Sequence, residues 1–187
     1  MASLKSLIPG LARALDMKPA ALYERQRALV RAGLLEMNPG RGPGSGVPAT
    51  SKTLAMLLIS AVATSSLSET EEQTKLVANL KSASGRCPFT GKKTFAAALT
   101  EVLNSPPRMN SARWIDVERR GKAVTARIHF YGSPPKADLD GLPKVESSIF
   151  GASSTSKDRY NIEVRVTLFL GLAILEAAVA HDEEVNK

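Results

Sequence analysis

The run Asn38-Pro39-Gly40-Arg41-Gly42-Pro43-Gly44-Ser45-Gly46 holds four glycines and two prolines in nine residues, so no helix or central strand can pass through it. Proline removes a backbone donor and fixes φ, and glycine loses the most conformational freedom on ordering. The run is therefore an exposed loop, and the chain must be built as separate pieces on either side of it. Leu34-Leu35-Glu36-Met37 before it and Val47-Pro48-Ala49-Thr50 after it read as two short extended arms. Upstream the period is helical. Leu11, Ala12 and Leu15 share one face of a short first helix, and Asp16-Met17-Lys18 makes a tight turn. Pro19 suits the first position of a second helix, which Gly33 stops in a left-handed conformation. Leu22, Leu29 and Val30 form the apolar stripe of that helix, while Glu24, Arg27 and Arg31 point away from it.

This order of parts, a second helix ending Arg31-Ala32-Gly33-Leu34-Leu35-Glu36 followed by the glycine-rich loop, resembles the winged helix-turn-helix of bacterial transcriptional regulators. The resemblance covers residues 7–50 of the 187. It implies that the second helix enters the major groove of double-stranded DNA and that the loop is a wing along the backbone. Carried over, Lys18, Ala20, Ala21, Tyr23, Glu24 and Arg27 face bases or phosphates, and Arg41 is the wing cation. Arg25 and Arg31 join Arg41 on phosphates, while Lys18 and Arg27 reach base edges. Members of the family have a further helix ahead of the pair, and only Ala2 to Ser6 stands there. Either the domain is trimmed or a later helix supplies that packing. The compact, Ala- and Arg-rich style is also similar to regulators carried by prophages and other mobile elements.

Charge supports the same expectation. Up to Lys52 there are eight cations and three anions, +5 of the total +7, and positive charge on a reading head favours a polyanionic partner. One cysteine, Cys87, excludes an intramolecular disulfide framework and fits a reducing cytoplasm. No secretory signal is read at the N-terminus. The apolar run 166–180 is broken by Thr167 and Glu176 and is shorter than the roughly 20 residues that span a bilayer. The expectation is a cytoplasmic protein with no membrane partner and no cofactor.

Downstream of the loop, Thr50 or Ser51 caps a helix whose Leu54-Ala55-Met56-Leu57-Leu58-Ile59-Ser60-Ala61-Val62 is apolar on nearly every side. Such a helix must be covered all round, either by the rest of the chain or by a second copy in a homodimer. Ser68-Glu69-Thr70-Glu71 reads as a capping box whose acids sit at the positive end of the next helix. Thr90 is expected to cap a further helix carrying Phe95, Leu99, Val102 and Leu103, stopping before Ser105-Pro106-Pro107. The stretch from Gly85 to Thr94 has five residues between Gly85 and Gly91, with Lys93 where a phosphate loop needs a hydroxyl, so no such loop is read.

From Arg113 the period becomes two. Strands over 114–118 and 123–131 are joined by Arg119-Arg120-Gly121-Lys122, with Val124, Ala126, Ile128 and Phe130 inward and Thr125, Arg127, His129 and Tyr131 outward. His129 is thus a solvated strand residue. Residues 132–159 read as a flexible loop in which Asp138 and Asp140 lack the later ligands of a calcium site. Residues 160–170 alternate as a third strand, and Gly171 opens a terminal helix.

The expected fold is α+β: a winged helix-turn-helix domain over 1–50, a helical connecting or dimerising segment over 51–105, and an α+β domain over 106–187 with a three-stranded antiparallel sheet and a terminal helix. The function that follows is sequence-specific DNA binding by a homodimeric transcriptional regulator, with a protein partner such as the transcription machinery. Two alternatives share these features. One is a mobile-element packaging, excision or replication accessory protein; the other is an interaction module that binds no DNA. No nucleophile–base pair, metal-ligand cluster or dinucleotide fingerprint is present at recognisable spacing, so no enzyme and no metal site is expected.

Overall fold

Helix α1 (Leu4–Ala14) ends where Asp16 takes the left-handed conformation, φ 50°, and the Met17 amide donates to the Ala12 carbonyl. A short polar side chain tolerates that backbone at low cost, and the expected turn forms there. The computed structural model describes residues 3–40, 45–120, 123–132, 144–151 and 163–169, the last segment by its backbone alone. The described residues fall into two compact units, one within Met1–Leu76 and one within Val77–Gly171. The boundary between them falls within residues 70–78.

In the first unit, α2 (Pro19–Arg31) begins on Pro19 and ends at Gly33, φ 69°, with the Leu34 amide donating to the Leu29 carbonyl. Its buried stripe is Leu22, Arg25, Gln26 and Leu29, three or four residues apart. After it, Asn38 and Gly46 exchange both backbone hydrogen bonds, 2.9 and 3.0 Å, across the glycine-rich loop. The Leu4 amide donates to Val47, and Ser3 bridges Pro48, so the start of α1 is tied to the second arm. Helix α3 (Ser51–Ala63) is capped reciprocally by Thr50 and Thr53 and packs on α2. A later helix therefore lies against α2.

Nine of the thirteen α3 residues are buried within the single chain, Leu57, Leu58 and Ile59 completely. Its apolar surface is thus covered within the single chain, one of the two coverings expected for it. Helix α4 (Thr70–Ala78) follows with Glu71 and Glu72 in its first turn.

In the second unit, α5 (Phe95–Leu103) is capped by Thr94, not Thr90, because the Thr94 hydroxyl accepts from the Ala97 amide. The prolines expected only to end it instead start a short α6 (Pro106–Ser111), the role proline plays at a first helical turn. The sheet has four strands rather than three. Strands β1 (Ala112–Arg120), β2 (Ala123–Tyr131), β3 (Val145–Gly151) and β4 (Glu163–Phe169) run in the order β3-β2-β1-β4, antiparallel throughout. Strand β3 lies inside the stretch read as loop. Its Val145-Glu146-Ser147-Ser148-Ile149-Phe150 is too polar to announce a strand, and pairing with β2 on one edge and residues 81–83 on the other selects it. The expected terminal helix after Gly171, the Gly121-Lys122 turn and Asp138 and Asp140 lie outside the described residues.

The core of this unit gathers Phe95, Leu99, Ile115, Ile128 and Phe150, with the Phe95 and Phe150 rings edge to face. Gly151 closes β3 at φ 91°, and a Cβ there would stand 2.4 Å from the Val124 carbonyl oxygen. Gly151→Ala is accordingly expected to destabilise the unit by about 1–3 kcal/mol in urea unfolding, through strain at a left-handed position. Unchanged unfolding would contradict this close approach.

Candidate nucleic-acid interface

Helix α2 has two faces because its chain repeats every 3.6 residues. Opposite the buried stripe stand Ala20, Arg27 and Arg31, all exposed or nearly so, with Ala21, Tyr23 and Glu24 half-buried among them. Lys18, extended and exposed, precedes Pro19 at the amino end, where free amides and the helix dipole favour anions. Arg27 Nη1 lies 2.9 Å from Glu24 Oε1, and the two side chains remain 57% and 43% exposed. A pair so open to water is worth at most about 1 kcal/mol, so Arg27 can exchange Glu24 for another acceptor. Arg31 has no ion pair among the described residues. Lys5 of α1 places its ammonium 5.7 Å from the Tyr23 ring centroid and stays exposed, as does Arg13. Neither Lys5 nor Arg13 stands out in the sequence, where α1 is conspicuous only for its apolar face.

Arg25 does not belong with these cations. It is 2% exposed, and its guanidinium donates to the carbonyls of Ser60 at 2.7 Å, Thr64 at 2.8 Å and Ser65 at 3.2 Å. Those carbonyls belong to the last turn of α3, to its C-cap and to the residue that follows, and a cation there also answers the negative end of the helix dipole. Burial holds the guanidinium pKa below its ordinary value. The expected phosphate contact by Arg25 is thereby corrected. The signal is available in the sequence, because residue 25 is three after Leu22 and four before Leu29. Arg41 lies outside the described residues.

A second polar cluster occupies one face of the sheet. His129, expected to be solvated, is only 9% exposed; its Nε2 lies 2.6 Å from Asp116 Oδ2, and its ring stacks on Trp114. Arg127 bridges Asp116 Oδ1 at 3.0 Å and Glu118 Oε2 at 2.6 Å, and Arg120 also pairs with Glu118. Burial opposes the charge on Arg127, but the hydrogen bonds to Glu118 and Asp116 outweigh it and hold its pKa above the ordinary value. Each carboxylate of the cluster meets at least one of the basic side chains Arg127, Arg120 and His129, which is how charge is tolerated in low dielectric. The pairing of β1 with β2 produces it, setting Asp116 against Arg127 and Trp114 against His129. Alternation alone places Thr125, Arg127 and His129 in solvent because it supposes only one covered face.

No group of three or more His, Cys, Asp or Glu suited to a metal occurs among the described residues, and no helix there is long and apolar enough to cross a membrane. Comparison of the chain with protein-family models, with curated proteins and with solved structures gives no match.

Proposed function

We propose that the chain is a sequence-specific DNA-binding transcriptional regulator that reads duplex DNA through a winged helix-turn-helix. In this reading α1 and α2 are the helical pair, α2 is the reading helix, and the loop closed by Asn38 and Gly46 is the wing. One observation carries it: the outer face of α2 leaves Lys18, Arg27 and Arg31 open to solvent, while Leu22 and Leu29 turn inward. A helix held down on one side and cationic on the other can enter a major groove. Phosphate neutralisation by Arg31 supplies affinity, while Lys18 and, once released from Glu24, Arg27 reach base edges.

Binding to a randomised duplex library, followed by fluorescence anisotropy on the selected sequence, tests the proposal. Arg27→Ala is expected to cost about 1–3 kcal/mol on the selected sequence and to relax its preference. Arg31→Ala is expected to weaken all duplexes alike and to lower the salt slope by about 1. A wild-type chain that binds no duplex at low salt would end this reading. A symmetric site selected from the library would support the homodimer on grounds independent of α3.

A further inference from the structure

We propose that the loop over residues 81–94 is a second, sequence-independent contact surface for the nucleic-acid phosphate backbone. The proposal deepens the duplex-binding reading and rests on it. A division of the chain at Lys52 makes the amino-terminal part look like the basic one. The compact units reverse that picture: Met1–Leu76 holds nine Lys and Arg against six Asp and Glu, whereas Val77–Gly171 holds fifteen against eight. Acidic residues at 69–72 and 182–184 mask the excess in the undivided sequence.

Residues 73–100 contain no acid, and five cations fall there, four of them (Lys81, Arg86, Lys92 and Lys93) within this loop and all exposed. Lys92 is committed to Glu101 at 3.2 Å, and Lys92 together with Arg108 holds the Glu101 carboxyl below the usual carboxylate range. Lys81, Arg86 and Lys93 have no ion pair among the described residues. The loop does not hang free. Ser82 donates to the Lys93 carbonyl and Cys87 to that of Lys92, which pairs its two arms. Ala83 donates to Ile149 and Gly151 to Lys81, so the first arm extends the sheet beyond β3. Buried Cys87 lies 3.2 Å from the Ser148 hydroxyl, and the Phe89 ring stacks on Phe130 at 4.1 Å.

Lysines at a sheet edge discourage edge-to-edge association, which accounts for Lys81 and Lys93 as far as it goes. It does not account for Arg86 at the tip, nor for the lack of any acid in residues 73–100. Point charges on a fixed backbone suit repeated phosphates rather than a shaped side chain. An acidic polypeptide is the competing partner.

The test uses the full chain and compares Lys81→Gln/Arg86→Gln/Lys93→Gln with Arg27→Ala/Arg31→Ala, each checked for native circular dichroism. Random duplex is titrated across a salt series, with poly-glutamate as the second probe. The loop variant is expected to lose about 2–3 from the slope of log affinity against log salt, near 0.9 per phosphate contact, while the ratio of selected to random duplex stays constant. A full slope in the loop variant, beside a reduced one in the α2 variant, overturns the loop proposal and spares the α2 reading. Tighter binding of poly-glutamate than of duplex, lost in the loop variant, overturns it in favour of an acidic protein. A wild-type chain that binds no duplex removes the α2 reading, and the loop proposal falls with it.

Discussion

Replacement of Arg25 by alanine is expected to destabilise the Met1–Leu76 unit by about 3 kcal/mol or more, without acting on any ligand directly. The side chain is buried and donates to the carbonyls of Ser60, Thr64 and Ser65. The fully buried Ser60 carbonyl is left without a donor, at about 1–3 kcal/mol, the half-buried Thr64 and exposed Ser65 carbonyls lose theirs at smaller cost, and the emptied space adds that of a cavity. Arg25→Met should be milder. Its volume still fills the space, the cost of burying the charge disappears, and Nε, which has no partner, is removed as well. Arg25→Lys keeps the charge but forks to fewer carbonyls, so it should fall between the two. Urea unfolding of the three variants gives the order. Native stability in Arg25→Ala together with loss of duplex binding would instead return Arg25 to the DNA face and refute the capping role.

Arg127→Met should have a comparable effect on the Val77–Gly171 unit, about 3–5 kcal/mol. Asp116 is fully buried and Glu118 nearly so, and Arg127 is the cation that stands between them. Its loss leaves two carboxylates facing each other, with His129 on Asp116 and Arg120 on Glu118. Breaking a buried pair on one side costs far more than replacing the pair as a whole. The triple change Asp116→Asn/Glu118→Gln/Arg127→Met should therefore recover much of the stability lost in the single variant. If the triple change is as unstable as the single one, packing rather than charge explains the loss. If Arg127→Met unfolds like wild type, the network contributes little.

Local chemistry written within a few residues is legible in the sequence. Asp16 and Gly33 end their helices in left-handed conformations, Pro19 starts α2, and Thr50 caps α3. The alternation of β2 identifies Ala126, Ile128 and Phe130 as core. The candidate interface is legible to the same extent, since helical spacing alone puts Ala20, Glu24, Arg27 and Arg31 on one side. What escapes such a reading depends on partners distant in the chain. Helical spacing from Leu22 and Leu29 turns Arg25 inward, but the carbonyls that make a buried guanidinium tolerable lie 35 to 40 residues away. His129 reads as solvated because Asp116 meets it only across a strand pair. The basic character of the second unit stays hidden until the contact boundary separates it from flanking acids.

Sequence by itself thus determined where α1 stops, where α2 starts and stops, where α3 starts and which side of α2 is apolar, because capping, turn conformation and helical period act over one to four residues. Tertiary structure decided which charges are surface and which are interior, and that β3 exists at all. A buried ion or a polar strand is stable only when the remote groups that pair with it have been brought to hydrogen-bonding distance, and no local pattern encodes that meeting.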